Sequence, residues 1–472
     1  MRPVSRRGFL SSAAIGSIAA SRGRAQSSRT NQPNVIVIIA DDLGYGDLGC
    51  YGSNLPTPNI DAMASEGLRF TQFSSASPVC SPSRASLLTG RYAPRTGAAY
   101  VLQATDSHGL LASEVTIAQM LKNAGYRTMC AGKWHLGCTP DFMPNKRGFD
   151  EFFGVPYSVD MNPLPLMHNT DVVEQPANLS TLTQRYTQQA INFISGSKDQ
   201  PFFLYFAHSF PHIPLACSSS FKGVTGIGKY ADTIAEIDYS VGQVLQALQK
   251  NNIDNNTLVV FTSDHGPWYQ GSAGNLRGRK GETYEGGMRV PFIARFPGSV
   301  PAGVNSIGFA TALDVLPAIA SLTGAALPAN PLDGVDIWPM LAGVQSSVDR
   351  DIFLYIDTYN IQAARVGDWK LHVSRYNTPP WVPMPKFGRH NLPLANAELY
   401  NVAKDPGESS NAAADYPAIV ADIRQRIENL IPTMPNEVQS AWKHTFSTEV
   451  QWSADGAWPV AAAPTWPLPR EG

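Results

Sequence analysis

The sequence predicts an α/β protein built on a doubly wound, mostly parallel sheet. Two observations carry this. Four short apolar runs, the first of them β-branched, each stop abruptly at charged or imidazole side chains. Between them lie stretches of helical period, and strands alternating with helices favour parallel pairing. The composition agrees: of 472 residues, 43% are hydrophobic and 16% charged, with 39 Gly and 37 Pro. That describes a globular, loop-rich chain with ample core, long enough for two or three domains of ordinary size.

The first 25 residues stand apart. "SRRGFL" places Arg6 and Arg7 before Phe9 and Leu10, and the weakly apolar "SSAAIGSIAA" and then "GRAQ" follow. This reads as a twin-arginine export signal with cleavage after Ala25, which makes the translocase a partner and the expected location periplasmic or secreted. Removing its five arginines leaves 31 basic against 38 acidic residues, a balance that argues against nucleic-acid binding. No 18-residue apolar run is present, so no membrane span is expected.

The four runs follow in order. Val35–Ile39, in "PNVIVIIADDLGYGD", ends in Asp41 and Asp42. "YRTMCAGKWHLG" closes on Lys133 and His135, "PFFLYFAHSFPHIP" on His208 and His212, and "NTLVVFTSDHG" on Asp264 and His265. Intervening helices are read at Thr116–Gly125 and Tyr230–Lys250. In a doubly wound sheet ligands bind beyond the carboxyl ends of the strands, so all four clusters fall at one edge. Each has a structural reading too: adjacent Asp residues cap turns, and His208 suits a core histidine. Jointly, four such coincidences at one edge point to a site.

The chemistry of that site follows from its donors. Asp41, Asp42 and Asp264 offer hard oxygens and His265 a nitrogen, a set that suits Ca2+ or Mg2+ better than zinc. Arg84, Lys133, His135, His212 and Lys280 surround them, a ring suited to an anionic, tetrahedral group. Of five cysteines, Cys50, Cys130, Cys138 and Cys217 read as small buried hydrophobes, because cargo folded in a reducing compartment carries few disulfides. Cys80, in "ASPVCSPSRASLLTGRY", opens a helix with Ser81 as the expected N-cap and Pro82 at the first helical position. That setting favours a thiolate, yet calcium is a poor partner for sulfur.

"CSPSRASLLTGR" resembles the signature of the sulfatase family, C-x-P-S-R followed by Leu-Thr-Gly-Arg. The resemblance extends over nearly the whole chain beyond residue 25, through "ADDLGYGDLGCYG", "GKWHLG", "RGFDEFFG", "FTSDHG", "KGETYEGGMRVPFIARFPG" and "ELYNVAKDPGE", and is nearest the arylsulfatase A and N-acetylgalactosamine-6-sulfatase group. It implies an alkaline-phosphatase-like fold over residues 33–345 and a C-terminal α+β subdomain, 350–472, with a small antiparallel sheet. "ARVGDWKLHV" would be a strand of that sheet and "DYPAIVADIRQRIENLI" its helix; the Trp- and Pro-rich tail carries no assigned role. It further implies that Cys80 is matured to formylglycine by a formylglycine-generating enzyme. By the same resemblance Asp41, Asp42, Cys80, Asp264 and His265 meet the metal, a calcium or magnesium ion. Arg84 would hold the nucleophile and metal ligands, Lys133 and Lys280 the sulfate, His212 would protonate the leaving alcohol, and His135 would take the proton that releases sulfate. The expected substrates are sulfate monoesters, carbohydrate sulfates among them. A formylglycine-dependent phosphate or phosphonate hydrolase and an inactive sulfated-glycan binder are the alternatives.

Overall fold

The computed structural model describes residues 32–379 and 389–447. The expected export signal and the Trp- and Pro-rich tail lie outside the described residues. In chain order the first ten strands are β1 (Asn34–Ala40), β2 (Leu68–Ser74), β3 (Arg127–Lys133), β4 (Glu151–Val155), β5 (Leu166–His168), β6 (Asp171–Glu174), β7 (Phe202–Ala207), β8 (Thr257–Ser263), β9 (Phe292–Arg295) and β10 (Val304–Thr311). They form one sheet in the order β10-β2-β9-β8-β1-β7-β3-β4-β5-β6. The central run from β8 to β4 is parallel throughout; antiparallel pairs occur only toward the two edges. All four predicted runs are present as β1, β3, β7 and β8, and they are mutual neighbours at the centre.

The sheet is covered on both faces, as a run of apolar residues without polar alternation requires. Five helices matter here: α1 (Pro58–Ser65), α2 (Cys80–Thr89), α3 (Ile117–Asn123), α4 (Leu182–Gly196) and α5 (Lys229–Lys250). Odd residues of β1 (Val35, Val37, Ile39) join one core with Leu87 of α2 and Leu121 of α3. Even residues (Ile36, Ile38, Ala40) join the other with Ile60 of α1, Tyr186 of α4 and Val241 of α5. The period of two along a strand thus divides β1 between two cores. From β1 the chain passes to β2 on one side and then returns to β3 on the other. Such a reversal opens a crevice beyond the strand ends, where a ligand can sit.

The C-terminal unit is a four-stranded antiparallel sheet, β11 (Phe353–Asp357), β12 (Asn360–Val366), β13 (Trp369–Tyr376) and β14 (Asn391–Asn401). The helix Pro417–Leu430 packs on β12 and β13. "ARVGDWKLHV" is not one strand. It is the hairpin between β12 and β13, with Val366 opposite Trp369 and Gly367 turning at φ 54°. A glycine at positive φ followed by Asp is a hairpin-turn signature that breaks the run. No helix among the described residues is long and apolar enough to cross a membrane.

Candidate active site

Strand ends deliver the acids. β1 runs straight into Asp41 and Asp42, and Asp42 is held at φ 69°, in the left-handed region. β8 ends one residue before Asp264, whose amide N–H donates to Ala40 O at 3.1 Å. That bond ties the two strand ends together. β3 ends on Lys133, and its penultimate residue must be glycine: at φ 113°, a Cβ on Gly132 would stand 1.7 Å from Ala207 O.

α2 delivers Cys80 and Arg84 from one buried turn. The helix begins at Cys80 with Val79 as N-cap, not with Ser81 as the sequence predicts. Ser81 Oγ instead accepts from Leu102 N–H at 3.1 Å, anchoring the segment whose carbonyl then holds His135 Nε2 at 2.8 Å. A serine near a helix start has two uses, and here a tertiary partner outcompetes the cap.

Nine of the predicted side chains form one continuous network. Arg84 places Nε 3.1 Å and Nη2 2.9 Å from Asp264 Oδ2, reaches Asp41 Oδ1 at 3.4 Å, and donates to Lys133 O at 3.2 Å. Lys133 Nζ lies 2.6 Å from Asp41 Oδ2. Lys280 Nζ spans both oxygens of Asp42 at 2.8 and 3.1 Å. Cys80 Sγ sits 3.2 Å from His265 Nε2 and 3.6 Å from Asp41 Oδ1. His212 Nε2 stands 3.8 Å from Asp42 Oδ2, with its Nδ1 against the carbonyl of Ile213. His135 borders this network without a direct bond to it. Its Nε2 is committed to Leu102 O, and its buried Nδ1 has no partner among the described residues.

The electrostatics separate the groups. Burial would raise Asp41, but Lys133 and Arg84 hold it well below the carboxylate range. Burial likewise opposes Asp42, and Lys280 with His212 lowers it. Asp264 goes the other way: burial dominates and raises it. His135 is driven well down by burial, then by Lys133 and Arg84, and stays neutral. Burial and Lys280 lower His212. Burial opposes protonation of His265, but Asp264, Cys80 and Asp42 outweigh it and lift it to about 9.

Asp41, Asp42, Cys80 and His265 are all buried, and each offers a ligand atom within 4.8 Å of the other three. Asp264 Oδ1 borders this group, 3.5 Å from His265 Nε2, while also accepting the amides of Asp42 and His265. The donor set fits a divalent metal. Its acids raise His265, and a cation bound among them would serve the same neutralising need. Against three carboxylates stand Arg84, Lys133 and Lys280, so a divalent ion would leave the pocket with surplus positive charge for an anion.

His208, left outside the expected site residues, takes the core reading: it is fully buried, packs 4.4 Å from the Phe206 ring, has neither ring nitrogen partnered among the described residues, and is lowered by burial to about 3. It is a neutral core histidine. Of the cysteines expected to be buried hydrophobes only Cys130 is fully buried; Cys50, Cys138 and Cys217 are half-buried, and all five are free thiols. One residue was missed. Ser158 Oγ lies 3.2 Å from Lys133 Nζ. It stands three residues past β4, so the strand-end rule applied to β4 would have found it.

Comparison with known proteins agrees with this geometry. The family model Sulfatase matches residues 33–325, and the model for the C-terminal region of aryl-sulfatase matches 347–460. Human arylsulfatase A is 37% identical over 444 residues, covering 84% of this chain and 87% of its own. Human N-acetylgalactosamine-6-sulfatase is 36% identical over 475 residues, covering 88% and 89%. Among solved structures, Ps i-CgsB in complex with k-i-k-neocarrahexaose superposes with a TM-score of 0.75 at 31% identity, covering 88% of this chain and 98% of that one. The PsFucS1 sulfatase from Pseudoalteromonas sp. gives a TM-score of 0.77 at 27% identity, covering 89% and 92%. With its alkaline-phosphatase-like sheet and its small C-terminal sheet, the chain belongs to the sulfatase family, whose members are sulfuric ester hydrolases.

Proposed function

We propose that this sulfuric ester hydrolase cleaves sulfate monoesters of carbohydrates, using an aldehyde made from Cys80 and a bound calcium or magnesium ion. The observation that carries this is the position of Cys80 Sγ. It lies at a helix start, 3.2 Å from His265 and 3.6 Å from Asp41, within a ring of Arg84, Lys133 and Lys280. A thiolate gains little from hard carboxylate neighbours and a calcium ion, whereas a hydrated aldehyde offers oxygen. Asp41, Asp42, Asp264 and His265 would hold the ion, with residue 80 completing the set, and the ion would supply Lewis acidity to the nucleophile and the sulfate oxygens.

The chain's own residues divide the remaining work. Lys133 and Lys280 neutralise the sulfate oxygens, and Ser158 fixes the Lys133 ammonium. Asp264, raised by burial, suits a group that takes up the proton of the attacking hydroxyl. Arg84 keeps Asp264 and Asp41 aligned. His212 Nε2 faces the site and delivers a proton to the leaving oxygen; the added anion of the substrate favours that proton, opposing burial and Lys280. His135 has its Nε2–H fixed on Leu102 O, which leaves Nδ1 as the nitrogen that would take the proton whose loss releases sulfate from residue 80, were that residue an aldehyde.

A carbohydrate substrate is supported by the twin-arginine pattern of the first 25 residues, which would bring the enzyme to sulfated polysaccharide fragments, and by the k-i-k-neocarrahexaose complex of the relative Ps i-CgsB. The decisive assay compares kcat/KM for an aryl sulfate and the matching aryl phosphate, before and after chelation and calcium restoration. Sulfate preference that chelation removes and calcium restores is expected; a strong phosphate preference overturns the reading.

A further inference from the structure

Among the network's side chains, solvent exposure is greatest at His212 and Lys280. The side chains of Asp41, Arg84, Lys133 and Asp264 are fully buried, whereas His212 is 7% and Lys280 15% exposed. A substrate whose sulfate reaches Cys80 therefore leaves its remaining atoms beside His212 and Lys280. Beyond Lys280 stands a row of three side chains. The Lys280 ammonium lies 5.9 Å from the Trp268 ring centroid, Trp268 meets Tyr269 edge-on at 5.1 Å, and the Arg279 guanidinium lies 4.5 Å over the Tyr269 ring. Trp268 is half-buried and Tyr269 is 51% exposed. Arg279 Nη1 is shielded from water and has no hydrogen-bond partner among the described residues.

The loop that carries them is pinned. Gly46 N–H donates to Ser272 O at 2.8 Å, and Asp47 accepts from Ser272 N–H at 2.9 Å, Tyr230 Oη at 2.6 Å and Gly44 N–H at 2.7 Å. Lys280 N–H closes it on Pro267 O at 3.1 Å. The loop is thus tied to the segment that follows Asp41 and Asp42, so the row keeps a fixed relation to the catalytic acids.

We infer that Trp268, Tyr269 and Arg279 form a subsite for a second anionic group, carried by a sugar ring next to the one whose sulfate is cleaved. The inference rests on the carbohydrate-sulfate reading above and names a substrate class within it: oligosaccharides bearing more than one sulfate or carboxylate. An aromatic face gives the apolar side of a sugar ring a wall to pack on, and Tyr269 holds the guanidinium in one orientation. A planar guanidinium matches a sulfate or carboxylate with paired N–H donors, and Arg279 is only half-buried. A small aryl sulfate carries no second anion for Arg279 to meet.

The test measures binding, so it does not depend on turnover. The Cys80→Ala enzyme, with and without Arg279→Gln, is titrated calorimetrically with calcium present. The probes are disulfated disaccharides prepared from chondroitin, heparin and carrageenan, each paired with its monosulfated monosaccharide. At least one disaccharide should bind about tenfold more tightly than its monosaccharide, and Arg279→Gln should remove that gain. Trp268→Ala should weaken the same disaccharide about tenfold, which supplies a second variant if the first folds poorly. No disaccharide gaining over its monosaccharide, or a gain that survives Arg279→Gln and Trp268→Ala, overturns the subsite. Failure of the parent enzyme on aryl sulfates would instead strike the hydrolytic reading and leave this result standing.

Discussion

At the residue scale, side chains were legible where a strand ended in them. Asp41, Lys133 and Asp264 each follow an unbroken buried run, and a charge there has no structural excuse unless a site pays for it. His208 satisfies the same rule and fails, because its ring turns into the Phe206 core instead of the crevice; strand-end position fixes a Cα, not a side-chain direction. His208 also makes a stability prediction. Its folded value of about 3 lies below the unfolded value of about 6.5, so the unfolded chain binds the extra proton and stability falls as pH drops through that interval. His208→Leu removes that loss and two unsatisfied nitrogens. Urea unfolding should show a gain of about 1–2 kcal/mol at neutral pH and a shallower acid dependence, with turnover retained. A destabilised variant would mean that the ring nitrogens have a partner.

Elements were legible where period and length agreed. The first strand and the helices at Thr116 and Tyr230 stand within a residue or two of their expected limits, and the other three central strands fall in their expected runs, since burial on both faces leaves a strand no polar alternation to blur it. What failed was punctuation. Gly367 was read through, turning a hairpin into one strand, and the N-cap of α2 moved because Ser81 had a tertiary partner. β3 shows how an element sets chemistry. Gly132 lets β3 and β7 approach with no Cβ between them, and Gly154 makes a similar approach on the other side, where a Cβ would stand 1.8 Å from Gly132 O. Gly132→Ala should push β3 off β7, cost about 1–3 kcal/mol, and displace Lys133. Thermal unfolding and steady-state kinetics on an aryl sulfate should fall together; a variant with native stability and kcat would contradict the geometry.

At the scale of the molecule, the two sheets are joined by a buried ionic cluster that no local pattern announced. Glu285, after the catalytic loop, meets Lys370 of β13 at 3.0 Å and Arg289 at 2.6 Å, while Glu408 meets Lys370 at 3.1 Å and His372 at 2.6 Å. These residues lie far apart in sequence, and their pairing follows from how the sheets dock, which is why the sequence reading missed them. Burial opposes the charge on Glu285, yet Lys370 and Arg289 bring it far below its ordinary value. Lys370→Met would leave two buried carboxylates short of a partner and should cost about 3–5 kcal/mol, read as a lower midpoint in urea. An unchanged midpoint would show that the cluster does not hold the sheets together.

The central claim is that residue 80 works as an aldehyde. Mass spectrometry of the peptide carrying residues 76–92 of the active protein tests it directly. The account predicts a peptide lighter than the cysteine form and reactive toward a hydrazide, with Cys80→Ala folded but inactive. An active preparation whose residue 80 is cysteine throughout would contradict it.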